Sequence, residues 1–461
     1  MLLLAVLAAR LFSLGVVFAQ HPERVVTADG AVYDAGARAL LATGKFVKSP
    51  QEPEAYQTLR TPGYSAYLAL CYKLMGPGHL PALALQVFIS LLPLALAYLI
   101  AVRLWDEPTA FLATALLALD PTSFLFSQVL QTETLFVAIM MAAVWAGLRL
   151  GRSDAPSARW ALAFALALAL ATLVRPISYF LLWPLLAWSL LNAWGRGVPS
   201  RSLAASALAA LLVWAALIGG WQWRNYQVSG TAYFSHLQPL VLLDYQAAYL
   251  VAGLEGTSPA QARARLRAQA EEGVPSQAPP GARFSAYEKL ALRVISQHPL
   301  AFAGQMAAGL AKVLFNPVDA TLYDFYGGNS TDSGSMGDLL RLPPRAYLAK
   351  WLTPANLPYL LVNTLSLCYL LILYAGALRA AWPALARERG QLFAHVFLWL
   401  VLLYLLIIPA GPGGGARFRI PALPVLCLYA AHGLRLWFAK EKTGGEPFLL
   451  RKKGSPPAPP S

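Results

Sequence analysis

Ten apolar runs recur along the chain, near residues 2–19, 81–102, 108–126, 128–149, 159–174, 177–194, 203–222, 357–378, 391–410 and 421–438, and they limit the possible folds more than any other feature. A hydrocarbon layer about 30 Å thick takes roughly 20 helical residues to cross. Inside it the backbone must satisfy its own hydrogen bonds, so each run is expected to be a helix. Composition agrees: 57% of the 461 residues are hydrophobic and 13% charged, against about a quarter charged in soluble domains. The expected fold class is an all-α polytopic membrane protein of about ten transmembrane helices.

Residues 1–20 end in Val17-Phe18-Ala19-Gln20 and also fit a cleaved leader. A retained first span is the better reading, because no basic start precedes the run and Arg10 interrupts it. Arg10 itself is expected to snorkel or to pair inside the bundle.

The formal net charge of +14 raises the question of nucleic acid. The basic residues, however, sit in short links between apolar runs, as the positive-inside bias would place them. With residues 21–80 facing outward, fifteen Lys and Arg fall on inner links and tail, and three (Arg175, Arg417 and Arg419) on short outer links. Both termini are then expected in the cytoplasm, and nucleic acid is excluded as a partner. Cys71, Cys368 and Cys427 are scattered, which argues against a disulfide framework and against a zinc site.

The polar stretches divide the chain into an N-terminal transmembrane catalytic module at 1–222 including the outer loop 21–80, a large extracytoplasmic segment at 223–356, transmembrane hairpins at 357–438 and a basic, disordered tail at 439–461. In the first outer loop, Ala31–Leu41 and Ser65–Leu74 have helical apolar spacing and suit the membrane interface. In the large segment, Ser258-Pro259 reads as a helix start, and 284–315 reads as amphipathic helix broken near His298-Pro299. Nothing there alternates as a β-domain would. Asn329-Ser330-Thr331 matches a glycosylation acceptor pattern, a short motif of low specificity.

The ionisable residues that stand out share one side of the membrane: Asp29, Arg60, Glu133, Arg175, Arg224, Arg417 and Arg419. Glu133, at the outer end of the fourth run, needs a partner, whether structural, catalytic or metallic. Arg175-Pro176 and Trp223-Arg224-Asn225-Tyr226 each suit an interfacial anchor. Gly411-Pro412-Gly413-Gly414-Gly415-Ala416-Arg417-Phe418-Arg419 reads as a phosphate clamp or as a plain flexible hairpin. His236 and His298 lack the i, i+4 partner of a helical metal site.

Asp29 with Tyr33, Arg60-Thr61-Pro62-Gly63-Tyr64, Thr132-Glu133, Leu173-Val174-Arg175-Pro176, Trp223-Arg224-Asn225-Tyr226 and Arg417-Phe418-Arg419 before Pro421 and Pro424 together give a chain that resembles the C-type membrane glycosyltransferases. This superfamily contains the protein O-mannosyltransferases and the lipid A aminoarabinose transferases, a family 39-like group. One departure stands out: many relatives carry Asp-Glu in the first loop, where this chain has Asp29-Gly30, with Asp34 one turn on as a substitute acid.

The resemblance implies an enzyme of the bacterial cytoplasmic membrane whose site faces the extracytoplasmic side. It would transfer a hexosyl or pentosyl group from a polyprenyl-phosphate-linked sugar to a lipid, glycan or protein acceptor, among membrane lipids. Asp29 would act as base, with Glu133 as second catalytic acid, and Arg60, Arg417 and Arg419 would hold the donor phosphate. Tyr33, Asp34, Tyr64, Arg175, Arg224 and His236 would line the site. A divalent cation between Asp29 and Glu133 stays an open question. The alternatives are a lipid-linked sugar flippase or transporter, and an O-antigen ligase or polymerase type.

Overall fold

A computed structural model describes residues 1–152, 158–318, 321–327, 342–354, 356–386 and 388–438. The Asn329-Ser330-Thr331 pattern, Arg387 and the tail from residue 439 lie outside the described residues.

Each apolar run is helical over most of its length. Helix α1 (Leu2–Gln20) leads through a 3-10 turn into α2 (Ala28–Thr43), and an extended arm carries the chain to α3 (Gly63–Met75). Next come α4 (His79–Ile89) and α5 (Leu91–Leu104), bent at Ser90, then α6 (Glu107–Leu119) and the short α7 (Pro121–Phe126). Helices α8 (Glu133–Arg152), α9 (Ala158–Val174) and α10 (Leu182–Gly195) follow, and α11 (Ser200–Trp214) joins α12 (Gly220–Ser229) through a π turn.

The described part of the large polar segment is built of helices joined by irregular links: α13 (Leu237–Val241), α14 (Ala248–Glu255), α15 (Pro259–Glu271), α16 (Ala282–Gln297), α17 (Pro299–Phe315), α18 (Thr321–Phe325) and α19 (Pro344–Trp351). Ser258 starts α15 with a capping box to Gln261, and the 282–315 stretch breaks at His298-Pro299. Helices α20 (Leu357–Ala386), α21 (Leu392–Ile407) and α22 (Leu423–Phe438) complete the chain. Among the described residues the extended pairing is a single bridge, Val47 to Tyr56.

Six of these stretches are long and apolar enough to cross a membrane: 2–20, 79–104, 133–151, 200–229, 357–386 and 416–438. Shorter apolar helices at 107–119, 158–174, 299–315 and 392–407 add to them, the third arising where the sequence suggested an amphipathic helix. This is an integral membrane protein. Its outer faces expose Phe12, Leu365, Ile372 and Leu378, apolar surface that lipid tails cover.

Small residues allow the helices to approach closely. A Cβ on Gly433 would lie 1.8 Å from the Gly376 carbonyl, so α20 and α22 meet backbone to backbone. On α8, Gly147 and Gly151 receive the rings of Phe397 and Phe393 from α21. A second, smaller core, with Leu243, Leu266, Phe284 and Tyr287, joins α14–α16 and the turn before them.

The fourth apolar run departs from expectation. Its helix begins at Glu133, and Ser127–Thr132 is irregular backbone lying against the loop that precedes α2.

Candidate active site

Thr27 caps α2, its Oγ1 accepting from the Gly30 amide at 2.9 Å, so Asp29 falls in the first turn, where the helix dipole favours an anion. Two cations reach its carboxylate from far along the chain. Arg60 Nη2 donates to Oδ1 at 2.5 Å, and Arg417 Nη1 donates to Oδ2 at 3.2 Å.

The arm bearing Arg60 is seated by its own motif. Thr61 Oγ1 donates to the Val174 carbonyl at 3.2 Å, and a Cβ on Gly63 would lie 2.7 Å from the Leu173 carbonyl. Arg60-Thr61-Pro62-Gly63 therefore rests on the C-terminal end of α9, beside Arg175. The Arg60 guanidinium also stands over the Tyr33 ring at 5.7 Å, and Tyr33 meets Tyr64 edge to face at 5.3 Å.

Glu133 is 1% exposed, and its partner is Arg175, with Nη1 at 2.6 Å from Oε1. The irregular Ser127–Thr132 backbone sets its position. Leu130 donates its amide to the Val25 carbonyl at 2.8 Å, and Gln131 Nε2 donates to Thr27 Oγ1 at 2.8 Å. This contact explains the departure at Gly30: a Cβ there would lie 2.5 Å from the Leu130 carbonyl oxygen, so a glutamate at this position has no room. Asp34 does not replace it. Five residues on from Asp29, it points elsewhere and is held by Arg38 Nε at 2.9 Å and the Tyr72 hydroxyl at 2.6 Å. Burial opposes ionisation of Asp34, and hydrogen bonds from His79, Arg38 and Tyr72 outweigh it, holding the carboxyl well below its ordinary range.

Sequence reasoning missed Gln86. Fully buried on α4, it accepts from the Tyr64 hydroxyl at 2.8 Å, and its Nε2 donates to the carbonyls of Phe126, Ser127 and Val129 at 3.2, 3.3 and 2.9 Å. One side chain thus ties α3 to the segment that positions Glu133. Its signal was present: an amide inside an apolar run must find partners. One turn on, Ser90 accepts from Arg10 Nη1 at 2.5 Å, which pairs Arg10 inside the bundle.

Arg419 is not a phosphate ligand in this geometry. Completely buried, its Nη1 donates to the carbonyls of Val313, Leu314 and Asn316 at 2.6, 3.1 and 3.1 Å, closing the C-terminal end of α17. The glycine run serves the same packing: a Cβ on Gly309 of α17 would lie 2.1 Å from the Gly411 amide nitrogen. Two other expected site-lining residues turn out to brace the Arg60 arm. Arg224 donates to the Gln57 and Phe46 carbonyls at 2.8 and 2.6 Å, its guanidinium over the rings of Trp221, Tyr56 and Phe46. The His236 amide donates to the Thr58 carbonyl at 3.0 Å, and Ser235 Oγ donates to that of Leu59 at 2.6 Å.

Residues 59–221, about a third of the chain, match the family model of dolichyl-phosphate-mannose-protein mannosyltransferase. The Archaeoglobus fulgidus oligosaccharyltransferase, solved with a tethered acceptor peptide, superposes over 95% of this chain and 49% of its own, with a TM-score of 0.50 and 16% identity. Its complex with Zn and sulfate gives 94%, 49%, 0.50 and 14%. The likeness is one of fold, shared with about half of the oligosaccharyltransferase chain. ArnT from Cupriavidus metallidurans bound to undecaprenyl phosphate also matches, over 94% of this chain and 77% of its own, with a TM-score of 0.37 and 14% identity. The chain spans about half the length of the oligosaccharyltransferase structures. No curated protein matches it in sequence.

The cluster holds three arginines (Arg60, Arg175 and Arg417) against two carboxylates (Asp29 and Glu133), a surplus of one positive charge. Burial alone would raise the Asp29 carboxyl, but Arg60 and Arg417 outweigh it and hold the group below its ordinary value. Tyr33 is pushed up by burial and stays protonated. For a divalent cation the fit is poor: each carboxylate already faces a guanidinium, and among the described residues no group of three His, Cys, Asp or Glu side chains is placed to hold a metal.

Proposed function

We propose that the chain is an extracytoplasmic glycosyltransferase that moves a sugar from a polyprenyl-phosphate donor to a lipid, glycan or protein acceptor. One observation carries the reading: Asp29 from the first outer loop lies between Arg60 and Arg417, residues 31 and 388 positions away in sequence. A base flanked by two partly exposed cations suits displacement at a sugar carbon bonded to phosphate. The phosphate departs as a stable anion, so the leaving group needs positive charge rather than a proton.

In this reading Asp29 accepts the hydroxyl proton of the acceptor. Arg60 and Arg417 hold the departing phosphate by charge-assisted hydrogen bonds. Glu133 and Arg175 form a buried pair that fixes the cluster's inner wall; removing one partner of such a pair costs about 3–5 kcal/mol. The distribution of basic residues in sequence favours an orientation with the site outward, and the resemblance implies the bacterial cytoplasmic membrane. The test is incubation of the purified protein with a panel of polyprenyl-phosphate sugars and each acceptor class. Consumption of one donor with release of polyprenyl phosphate supports the proposal, and an inert panel refutes it.

A further inference from the structure

The two arginines best placed to take a phosphate are the two that hold the carboxylate. Arg60 Nη2 donates to Asp29 Oδ1 and Arg417 Nη1 to Oδ2, so both oxygens of the base are engaged. Asp29, Arg60 and Arg417 each keep about a quarter to a third of the side chain exposed, at 28%, 23% and 32%. Ion pairs that keep this contact with water are screened by it and can be exchanged. The Glu133–Arg175 pair beside them is closed by contrast, with exposures of 1% and 12%.

We propose that Arg60 and Arg417 are shared ligands: they engage Asp29 until a donor phosphate binds, then transfer to that phosphate and release the carboxylate to act as base. This rests on the glycosyltransferase reading and adds an order of events to it. Phosphate chemistry favours the transfer, because a phosphate presents more acceptor oxygens and more charge than a carboxylate to the same guanidinium groups. The donor therefore binds before the acceptor is activated, and a bound acceptor alone meets a base whose oxygens are occupied.

With the donor in place, the acceptor O–H proton passes to a free Asp29 oxygen and the acceptor oxygen bonds to the anomeric carbon. The anomeric C–O bond to phosphate breaks, and its electron pair leaves with the polyprenyl phosphate, held by Arg60 and Arg417. No further reactant is needed. When the product phosphate departs, the arginines return to Asp29 and its proton passes to water.

The consequence that separates this from a simple active-site description concerns affinity. Asp29→Asn removes the charged competitor for the arginines, so it should bind undecaprenyl monophosphate about five- to tenfold more tightly than the unsubstituted protein while its sugar transfer falls by orders of magnitude. The titration is run on full-length protein in detergent, with matched thermal melting, and with inorganic phosphate and phosphatidylglycerol as parallel probes. Asp29→Ser serves as a second variant with the same expectation. A gain for undecaprenyl phosphate and inorganic phosphate, lost again in Asp29→Asn/Arg417→Ala, supports shared ligation; a gain restricted to phosphatidylglycerol, equal or weaker binding in both Asp29 variants, or no binding of any probe overturns it. Tighter binding in the variants alongside an inert donor panel would leave the sharing intact and remove the sugar-transfer reading, whereas active transfer without the gain would do the reverse.

Discussion

The mouth and the floor of the site use the same residue type in opposite ways. At the mouth Arg417 is 32% exposed and rests on the carboxylate of Asp29; two residues on, Arg419 is completely buried on backbone carbonyls at the end of α17. The backbone between them supplies the reason. Ala416–Ala422 is a 3-10 helix, in which each residue turns about 120°, so positions two apart diverge widely. A charge at the mouth is exchangeable; a charge at the floor is structure. Placement in a motif does not decide which, but local helical pitch does.

The largest expected effect tests the mouth. Asp29→Asn should lower transfer by about 10²–10⁴-fold, the range for loss of a positioned base, with melting temperature and expression unchanged. Turnover close to that of the unsubstituted protein would remove Asp29 from the chemistry. The arginine pair sharpens the contrast. Arg419→Ala leaves carbonyls of the α17 end unmet at about 1–3 kcal/mol each, so it should appear as lost thermal stability and lost folded protein. Arg417→Ala should keep the melting temperature and raise the KM for donor more than that for acceptor. If the two variants exchange these phenotypes, the distinction between mouth and floor is wrong.

Much of this was legible in the sequence. Most of the length of the apolar runs read correctly as helix, and so did Ala31–Leu41, Ser65–Leu74 and the 284–315 stretch, because hydrophobic period and capping residues act locally. Ser258-Pro259 is a case where a local signal gave the start of a helix, and the structure adds the capping box to Gln261. What failed to show was direction. Arg224, His236 and Arg419 carry the right chemistry on the right segments, yet the two arginines turn to backbone carbonyls and the His236 ring to the Thr231 hydroxyl, and only tertiary packing settles that. The irregular Ser127–Thr132 stretch was also hidden, since Gln86 and the Val25 carbonyl hold it from a distance in sequence that no window covers.

Gly30 and Gln86 give a smaller test of how floor and mouth are joined. Gly30→Ala pushes a methyl against the Leu130 carbonyl and should displace the segment before Glu133, lowering kcat by about tenfold for each 1.4 kcal/mol of misplacement. Gln86→Leu removes the amide that holds Phe126, Ser127 and Val129. Amide exchange across residues 126–132 should then rise, with kcat falling and the KM for donor nearly constant. Unchanged exchange in Gln86→Leu would show that the segment is held by its contacts to Val25 and Thr27 alone.

The smallest effect lies in the brace behind the Arg60 arm. Burial is the main cause that brings the His236 imidazole down from 6.5 to about 4, and its ring packs on Phe284 at 4.5 Å while Nε2 meets Thr231 Oγ1 at 2.7 Å. The folded protein therefore keeps His236 neutral where the unfolded chain takes up a proton. By linkage, its contribution to stability is complete above pH 6.5 and is lost as pH falls from there toward about 4. Between those limits the melting temperature of the unsubstituted protein should fall more steeply than that of His236→Gln, which has no proton to exchange. Parallel melting curves from pH 7.5 to 4.5 would mean that the imidazole titrates alike in both states, and that the brace holds Thr58 through the backbone amide alone.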